Sequence, residues 1–390
     1  MSTRFLHTAD WQLGKPFAGI ADVQKRSLVQ QERFAAIQRL SKIVEEHRAE
    51  FVVVAGDLFD SASVTKATVS AACSAIGRLG IPVLAIPGNH DHGGPGSIWQ
   101  QAFFQRECAS LAPNFRILMT PEPVELKTAV IFPCPLLRRA ESADPTTWLR
   151  SLDLTAAAFG GKPRIVLAHG STQGFGIVQD DDEGDAGATN QLDLSKLAAP
   201  SFDYLALGDW HGTKQVGAKA WYAGTPELDR FPKGESNEPG HCLTVIVSRA
   251  DLPQVQPVRT ARIGWHQLAC DFADDGALAR LRQAVEALVG TRSNEDLFRL
   301  ELAGSLGIET ATRLEEFLES LDARLLRLKL SNRTVISPSV DEIAALTQRT
   351  SDPLIARVAT LLVTRAAGTD DEATVARVAL RELHAACARA

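Results

Sequence analysis

The sequence predicts an α/β protein, on three observations. Short apolar runs bounded by Gly, Pro or Asp recur through the first half of the chain. Segments with helical apolar spacing lie between them, and polar clusters follow one run after another. The first run, residues 4–6, precedes a segment over 28–47 in which Phe34, Ile37, Leu40 and Val44 share one helical face. The second run, 51–54, is followed by Val69, Cys73, Ile76 and Leu79, again at helical spacing. A third run at 83–86 leads to a helical stretch over 99–111, and runs at 129–132, 165–168 and 204–207 complete a set of six buried strands. Open α/β folds bind ligands at the loops beyond their strand C-termini. Those loops are unusually polar here: residues 7–10, Gly56-Asp57, Gly88-Asn89-His90-Asp91, His169-Gly170 and Gly208-Asp209-Trp210-His211.

From about residue 260 the pattern shortens. Strands are expected at 266–272, 297–302 and 325–335, with helices at 276–288 and 310–322 between them, and helices at 352–367 and 372–388 close the chain. This gives three expected parts: a main domain over 1–250 that carries the polar strand ends, a small α/β cap-like domain over 260–340 and a helical tail over 341–390. The segment 251–257 is the expected boundary. One biased run, Asp180-Asp181-Asp182-Glu183-Gly184-Asp185, reads as a solvated loop.

With 390 residues, 45% hydrophobic and 23% charged, the chain can bury a sizeable core and has the composition of a folded soluble protein. Its 41 basic and 47 acidic residues give a net charge of -6, which argues against a polycationic nucleic-acid coat but leaves room for a local basic groove. The six cysteines are scattered with no C-x-x-C pair, so a zinc ribbon and a thioredoxin-like motif are excluded and reduced thiols are expected. No apolar run approaches the roughly 18 residues of a membrane span, and the N-terminus lacks a charged and then apolar leader. A cytoplasmic location is therefore expected.

Any one polar strand end has an ordinary explanation as a turn or a satisfied histidine. Five together supply carboxylates, imidazoles and side-chain amides without a thiolate, the donors that suit Mn²⁺, Fe²⁺ or Zn²⁺. A dinuclear centre needs a shared ligand between ions roughly 3.5 to 4 Å apart, and Asp57 is the candidate for that bridge.

In order and spacing, Asp10-Trp11-Gln12, Gly56-Asp57-Leu58-Phe59-Asp60, Gly88-Asn89-His90-Asp91, His169-Gly170 and Gly208-Asp209-Trp210-His211 resemble the five motifs of the calcineurin-like binuclear metallophosphoesterases. The opening His7-Thr8-Ala9-Asp10-Trp11 and the later 221–226 stretch resemble the SbcD-like nuclease branch. Within it the chain is most similar to bacterial manganese-dependent DNA endonucleases encoded near a DNA ligase and a helicase. The resemblance covers residues 3–247. It implies a β-sandwich flanked by helices and two divalent ions, most readily Mn²⁺. One ion would be held by Asp10, Asp57 and His211, the other by Asp57, Asn89, His169 and position 209. Gln12 and Asp209 stand where the branch usually has His, and both can offer oxygen to a hard cation. The family further implies His90 at the transition state or the leaving oxygen, with Asp91 orienting its imidazole.

The substrate is less constrained than the chemistry. Trp11, Lys15, Phe17, Trp210, Lys214, Arg230, Phe231 and Lys233 combine stacking surfaces with phosphate-pairing cations, as single-strand grooves do. The opposing expectation is that Trp11 and Trp210 pack beneath the site and the cations are solvated. Over 251–390 there are 17 basic and 20 acidic residues, so no overall clamp exists, though Arg324, Arg327, Lys329 and Arg333 alternate as on one strand face. The leading expectation is a Mn²⁺-dependent nuclease acting on single-stranded DNA in repair, with a helicase, ligase or ATPase as partner proteins. The alternatives are a phosphodiesterase or phosphatase on nucleotides or small esters, and a non-catalytic adaptor whose metal site has decayed. No Gly-x-x-x-x-Gly-Lys motif is present, so an ATP-driven step would need a separate chain.

Overall fold

Runs that are apolar at every position are buried on both faces, the condition for central parallel strands. Phe51–Val54, Val130–Cys134 and Tyr204–Gly208 are such strands. The computed structural model describes residues 2–152, 159–172, 189–197, 201–231, 238–249, 251–274, 276–336 and 339–389. It divides into two units, Met1–Ile263 and Gly264–Ala390.

In the first unit the order is β1 (Ser2–Thr8), α1 (Val23–His47), β2 (Phe51–Val54), α2 (Lys66–Gly77), β3 (Val83–Ala85), α3 (Ala102–Leu111), β4 (Phe115–Ile117) and β5 (Val124–Glu125). It continues through β6 (Val130–Cys134), β7 (Arg164–His169), β8 (Ser171–Thr172), β9 (Gln191–Leu192), β10 (Tyr204–Gly208), β11 (Lys214–Gly217), β12 (Ala220–Tyr222), β13 (His241–Ser248) and β14 (Gln254–Arg259). Two six-stranded sheets form, in the orders β14-β13-β1-β2-β3-β4 and β11-β12-β10-β7-β6-β5. Phe5, Val53 and Leu84 from the first sheet meet Ile131, Ile165, Leu167 and Tyr204 from the second in a core between the sheets. The outer face of the first sheet carries the apolar stripes of α1 and α2, through Ile37, Leu40, Val69 and Ile76. Asp22 caps α1 by accepting from the backbone of Gln24 and Lys25. The architecture is a sandwich flanked by helices.

All six expected strands of the first half are present. The segment 251–257, expected as a boundary, instead runs into β14, which pairs antiparallel with β13 and belongs to the first sheet. Its period-2 pattern is weak because it is an edge strand, half-buried at Val255 and Val258 only.

The second unit contains β15 (Gly264–Phe272), α4 (Ala277–Val289), β16 (Asp296–Leu306), α5 (Ile308–Arg324), β17 (Arg327–Asn332), β18 (Val335–Ile336), α6 (Val340–Thr347), α7 (Pro353–Ala366) and α8 (Asp371–Arg389). Strands β15, β16 and β17 are parallel, and Phe298, Leu300 and Leu302 pack one face against α4 and α5. The expected basic strand stripe is shorter than its sequence pattern. Arg324 ends α5 and Arg333 follows β17, leaving Arg327 and Lys329 on the strand. No helix among the described residues is long and apolar enough to cross a membrane.

Candidate metal centre

Strands β1, β2 and β3 run parallel, as do β7 and β10, so their C-terminal ends and the loops after them deliver Asp10, Asp57, Asn89, His169 and Asp209 to a common place. The loop after β1 is laced to the loop after β2. Asp10 N donates to Gly56 O (3.1 Å), Gln12 N to Asp57 O (2.9 Å) and Leu13 N to Leu58 O (2.9 Å). This ladder holds backbone that is costly for non-glycine residues, with φ 52° at Asp10, 41° at Gln12 and 52° at Asp57, and Asp209 after β10 has φ 99°. Strained backbone thus coincides with four of the residues expected to bind metal.

Glycine makes room for the ligands. A Cβ on Gly88 would stand 2.1 Å from Asp57 Oδ1, and one on Gly56 would stand 2.2 Å from His169 Nδ1. The Gly-Asn-His and Gly-Asp motifs are therefore packing requirements of the neighbouring strand end as well as turn signals.

Asp10, Asp57 and His169 are buried, and their ligand atoms lie within 4.8 Å of one another. His169 Nδ1 stands 2.8 Å from the Ala55 carbonyl, which can only accept, so this nitrogen carries a proton, and in the neutral ring the lone pair of Nε2 turns inward. Nε2 lies 2.9 Å from Asn89 Oδ1 and 3.7 Å from a carboxylate oxygen of both Asp57 and Asp209. Acceptors face acceptors. Three things relieve such a contact: a proton on Nε2, which makes the ring a donor to Asn89 Oδ1, rotation of the Asn89 amide, which puts its N–H 3.1 Å from Asp57 Oδ2, or a cation that takes the oxygen as it stands. The donor set of carboxylates, amide and imidazole fits a divalent ion. Electrostatics point the same way. Burial opposes a charged His169, yet the carboxylates of Asp57, Asp10 and Asp209 outweigh it and raise the ring to about 9. Burial, with the nearby Asp57 and Asp209 charges, lifts Asp10 well above the usual carboxylate range. Three carboxylates thus crowd one imidazole, and both shifts favour uptake of positive charge.

Asp209 is tied in through its neighbours, its N donating to Asp10 Oδ1 (3.1 Å) and its Oδ2 accepting from Ser171 Oγ (2.6 Å). His90 lies at the rim. Its backbone N donates to Asp57 Oδ1 (3.0 Å), its Nδ1 donates to the Asp60 carbonyl (2.7 Å), and its Nε2 is 3.9 Å from Asp57 Oδ2.

The expectation for Asp91 is corrected. Its carboxylate accepts from Gly88 N (2.8 Å) and Phe59 N (3.0 Å), so it braces the loops after β2 and β3, and the acceptor at His90 Nδ1 is the Asp60 backbone. Burial, aided by Asp57, raises Asp91 to about 7. Trp11 is corrected as well: it is 1% exposed, donates to Thr8 Oγ1 (2.9 Å) and packs beneath the site rather than against a substrate. Trp210 is half-buried against the outer core of the second sheet, with the Lys214 ammonium 5.9 Å over its ring.

Gln12 and His211 occupy an adjoining layer, and His211 lies outside the three-residue cluster found among the described residues. Gln12 Oε1 accepts from Lys15 Nζ (3.0 Å), and Gln12 Nε2 is 3.3 Å from His211 Nε2. His211 Nδ1 is 3.0 Å from Asp229 Oδ2. A guanidinium nitrogen of Arg230 lies 2.7 Å from Nδ1 and 3.2 Å from Nε2. Burial and the Arg230 charge lower His211. Although burial opposes it, the charges of His211, Arg230 and Lys15 hold Asp229 well below the usual range. Lys15 and Arg230, expected to contact substrate, are thus engaged by this network. Lys233 and the acidic run at 180–185 lie outside the described residues.

Two residues the motifs do not contain organise the site. Asp229 is one. Arg33 of α1 is the other: it is 2% exposed and donates to the carbonyls of Trp11 (2.6 Å), Glu227 (3.0 Å) and Asp10 (3.3 Å) and to Thr225 Oγ1 (3.1 Å). An arginine on the apolar stripe between Val29 and Ile37 was the available signal.

A binuclear-type hydrolase centre on a two-sheet sandwich is what these strand ends define, and the family comparison agrees. Residues 3–237 match the calcineurin-like phosphoesterase family, and the chain belongs to it. Members are metal-dependent phosphoester hydrolases that bind two divalent ions. A curated relative, the SbcD component of the SbcCD nuclease of Staphylococcus epidermidis, is 23% identical over 223 residues, 53% of this chain and 56% of the relative. The match thus spans little more than half the length of that relative. Two solved structures are 12% identical to this chain. One is a protein of Thermus thermophilus, matched over 66% of this chain and 100% of its own with a TM-score of 0.38. The other is a dimetal phosphatase from Danio rerio, matched over 65% and 98% with a TM-score of 0.34.

Proposed function

We propose that the chain is a manganese-dependent DNA phosphodiesterase, acting as an endonuclease on single-stranded DNA in repair, in the cytoplasm. The observation that carries the reading is the convergence of Asp10, Asp57, His169, Asn89 and Asp209, with His90 beside them at the rim. Divalent ions held by these residues would supply charge opposite the phosphate oxygens and acidity for a water nucleophile. The chain's own groups do the rest. The Ala55 carbonyl fixes the His169 tautomer, and the Gly56 and Gly88 backbones leave the carboxylate of Asp57 and the ring of His169 in place. His90, held through Nδ1 by the Asp60 carbonyl, presents Nε2 toward the same centre, and its protonated form is the donor for the departing oxygen. Oxygen donors at positions 12 and 209 favour manganese over zinc. DNA as substrate is supported by the SbcD relative.

The test is Mn²⁺-dependent cleavage of closed circular single-stranded DNA, with EDTA and Asp57→Ala controls. Linear or fragmented product from wild type alone supports the reading. An intact circle alongside turnover of a nucleotide ester would replace it with a small-molecule phosphodiesterase.

A further inference from the structure

The two halves of the centre are not equivalent. On one side Asn89 Oδ1 and His169 Nε2 face the Asp57 and Asp209 carboxylates, and the His169 imidazole is the basic group set among them. On the other side a cation is already built in. The Lys15 ammonium lies among three oxygens, 3.0 Å from Gln12 Oε1, 3.4 Å from Asp229 Oδ2 and 3.5 Å from Asp60 Oδ1. Its neighbour His211 is braced by Asp229 and lies against the Arg230 guanidinium.

We propose that Lys15 is the resident cation of the Gln12–His211 half. The chain then binds one divalent ion tightly, at the Asp57–Asn89–His169 side, and a second weakly, because the second must draw Gln12 Oε1 away from the ammonium and tolerate its charge nearby. This rests on the metal-centre reading above, and its test uses no nucleic acid. Lys15 is thereby a positioning residue that sets metal stoichiometry.

The experiment is titration of chelator-stripped protein with Mn²⁺, free ion being read from its six-line electron paramagnetic resonance signal and bound ion counted after equilibrium dialysis. Wild type is expected to bind one ion per chain, with a second at least about tenfold weaker, the scale on which groups around a ligand tune affinity. Lys15→Met is expected to tighten the second event by a similar factor and leave the first, while Lys15→Arg keeps the gap. Thermal melts of each variant establish that the fold is retained. Two ions of equal affinity in wild type, or a second event unmoved in a folded Lys15→Met protein, would overturn the proposal while the metal centre stands. Absence of any bound ion in folded wild type would overturn the metal centre itself, and the proposal with it.

Discussion

Replacing Gly88 by alanine adds one methyl group at the most crowded point of the centre. The new Cβ would stand 2.1 Å from Asp57 Oδ1 and 2.6 Å from Asp57 N, whereas real Cβ contacts do not fall under 3.0 Å. The carboxylate must therefore retreat by about 0.9 Å, and the backbone contact prevents a side-chain rotation alone from relieving the clash. Asp57 Oδ1 is also the acceptor for His90 N, so the shift carries the rim histidine with it. Overpacking of this kind costs about 1–3 kcal/mol, which a domain of this size survives. A misplacement near 1 Å at reacting groups costs on the order of 10²-fold in rate. The assay is kcat on an aryl phosphodiester with Mn²⁺, with circular dichroism to verify folding and Gly161→Ala as a control, since nothing lies within 4 Å of a Cβ there. Gly88→Ala with wild-type kcat and metal affinity would refute the packing argument.

Arg33→Met leaves the carbonyls of Trp11 and Glu227 without their buried donor, and a loss of about 3–5 kcal/mol is expected in urea unfolding; a loss under about 1 kcal/mol would show that water replaces the guanidinium. His7 is fully buried, with Nδ1 3.0 Å from the Tyr204 hydroxyl and Nε2 3.2 Å from the Leu207 carbonyl, and burial lowers it from 6.5 to about 3. A depressed histidine makes the unfolded chain the better proton binder, so stability is complete above pH 6.5 and declines as pH falls toward 3. Its share at pH 5 is about 2 kcal/mol; His7→Gln should flatten that part of the stability profile, and an unchanged slope would remove His7 as its source.

The strand order was partly legible. Six apolar runs mark six strands because residues buried on both faces leave no polar positions to confuse the reading. Strands β13 and β14, which extend the first sheet beyond β1, escaped notice, since β14 is exposed at four of its six residues and no strong pattern announces it. Asp10, Asp57, Asn89, His169 and Asp209 could be picked out because they follow strands directly, and topology then gathers them. Partner choice could not. The acceptor for His90 is a backbone carbonyl, indistinguishable in a sequence from any other, and Asp91 is equally compatible with bracing a loop or orienting a ring. Lys15 reads as a phosphate contact until folding brings Gln12, Asp60 and Asp229 around it. Asp229 lies in a loop without periodicity, where no local pattern separates a buried carboxylate from an exposed one.

The most direct test of metal-dependent phosphoester hydrolysis at the Asp10–Asp57–His169 cluster compares wild type and Asp57→Asn on an aryl phosphodiester. Asparagine keeps the shape and removes the charge. Wild-type turnover should vanish with EDTA and return with Mn²⁺, and Asp57→Asn should lose at least about 10²–10³-fold in kcat, the scale for removing an electrostatic group at a reacting centre. Turnover that persists through chelation, or an Asp57→Asn protein within about twofold of wild type, would contradict that assignment.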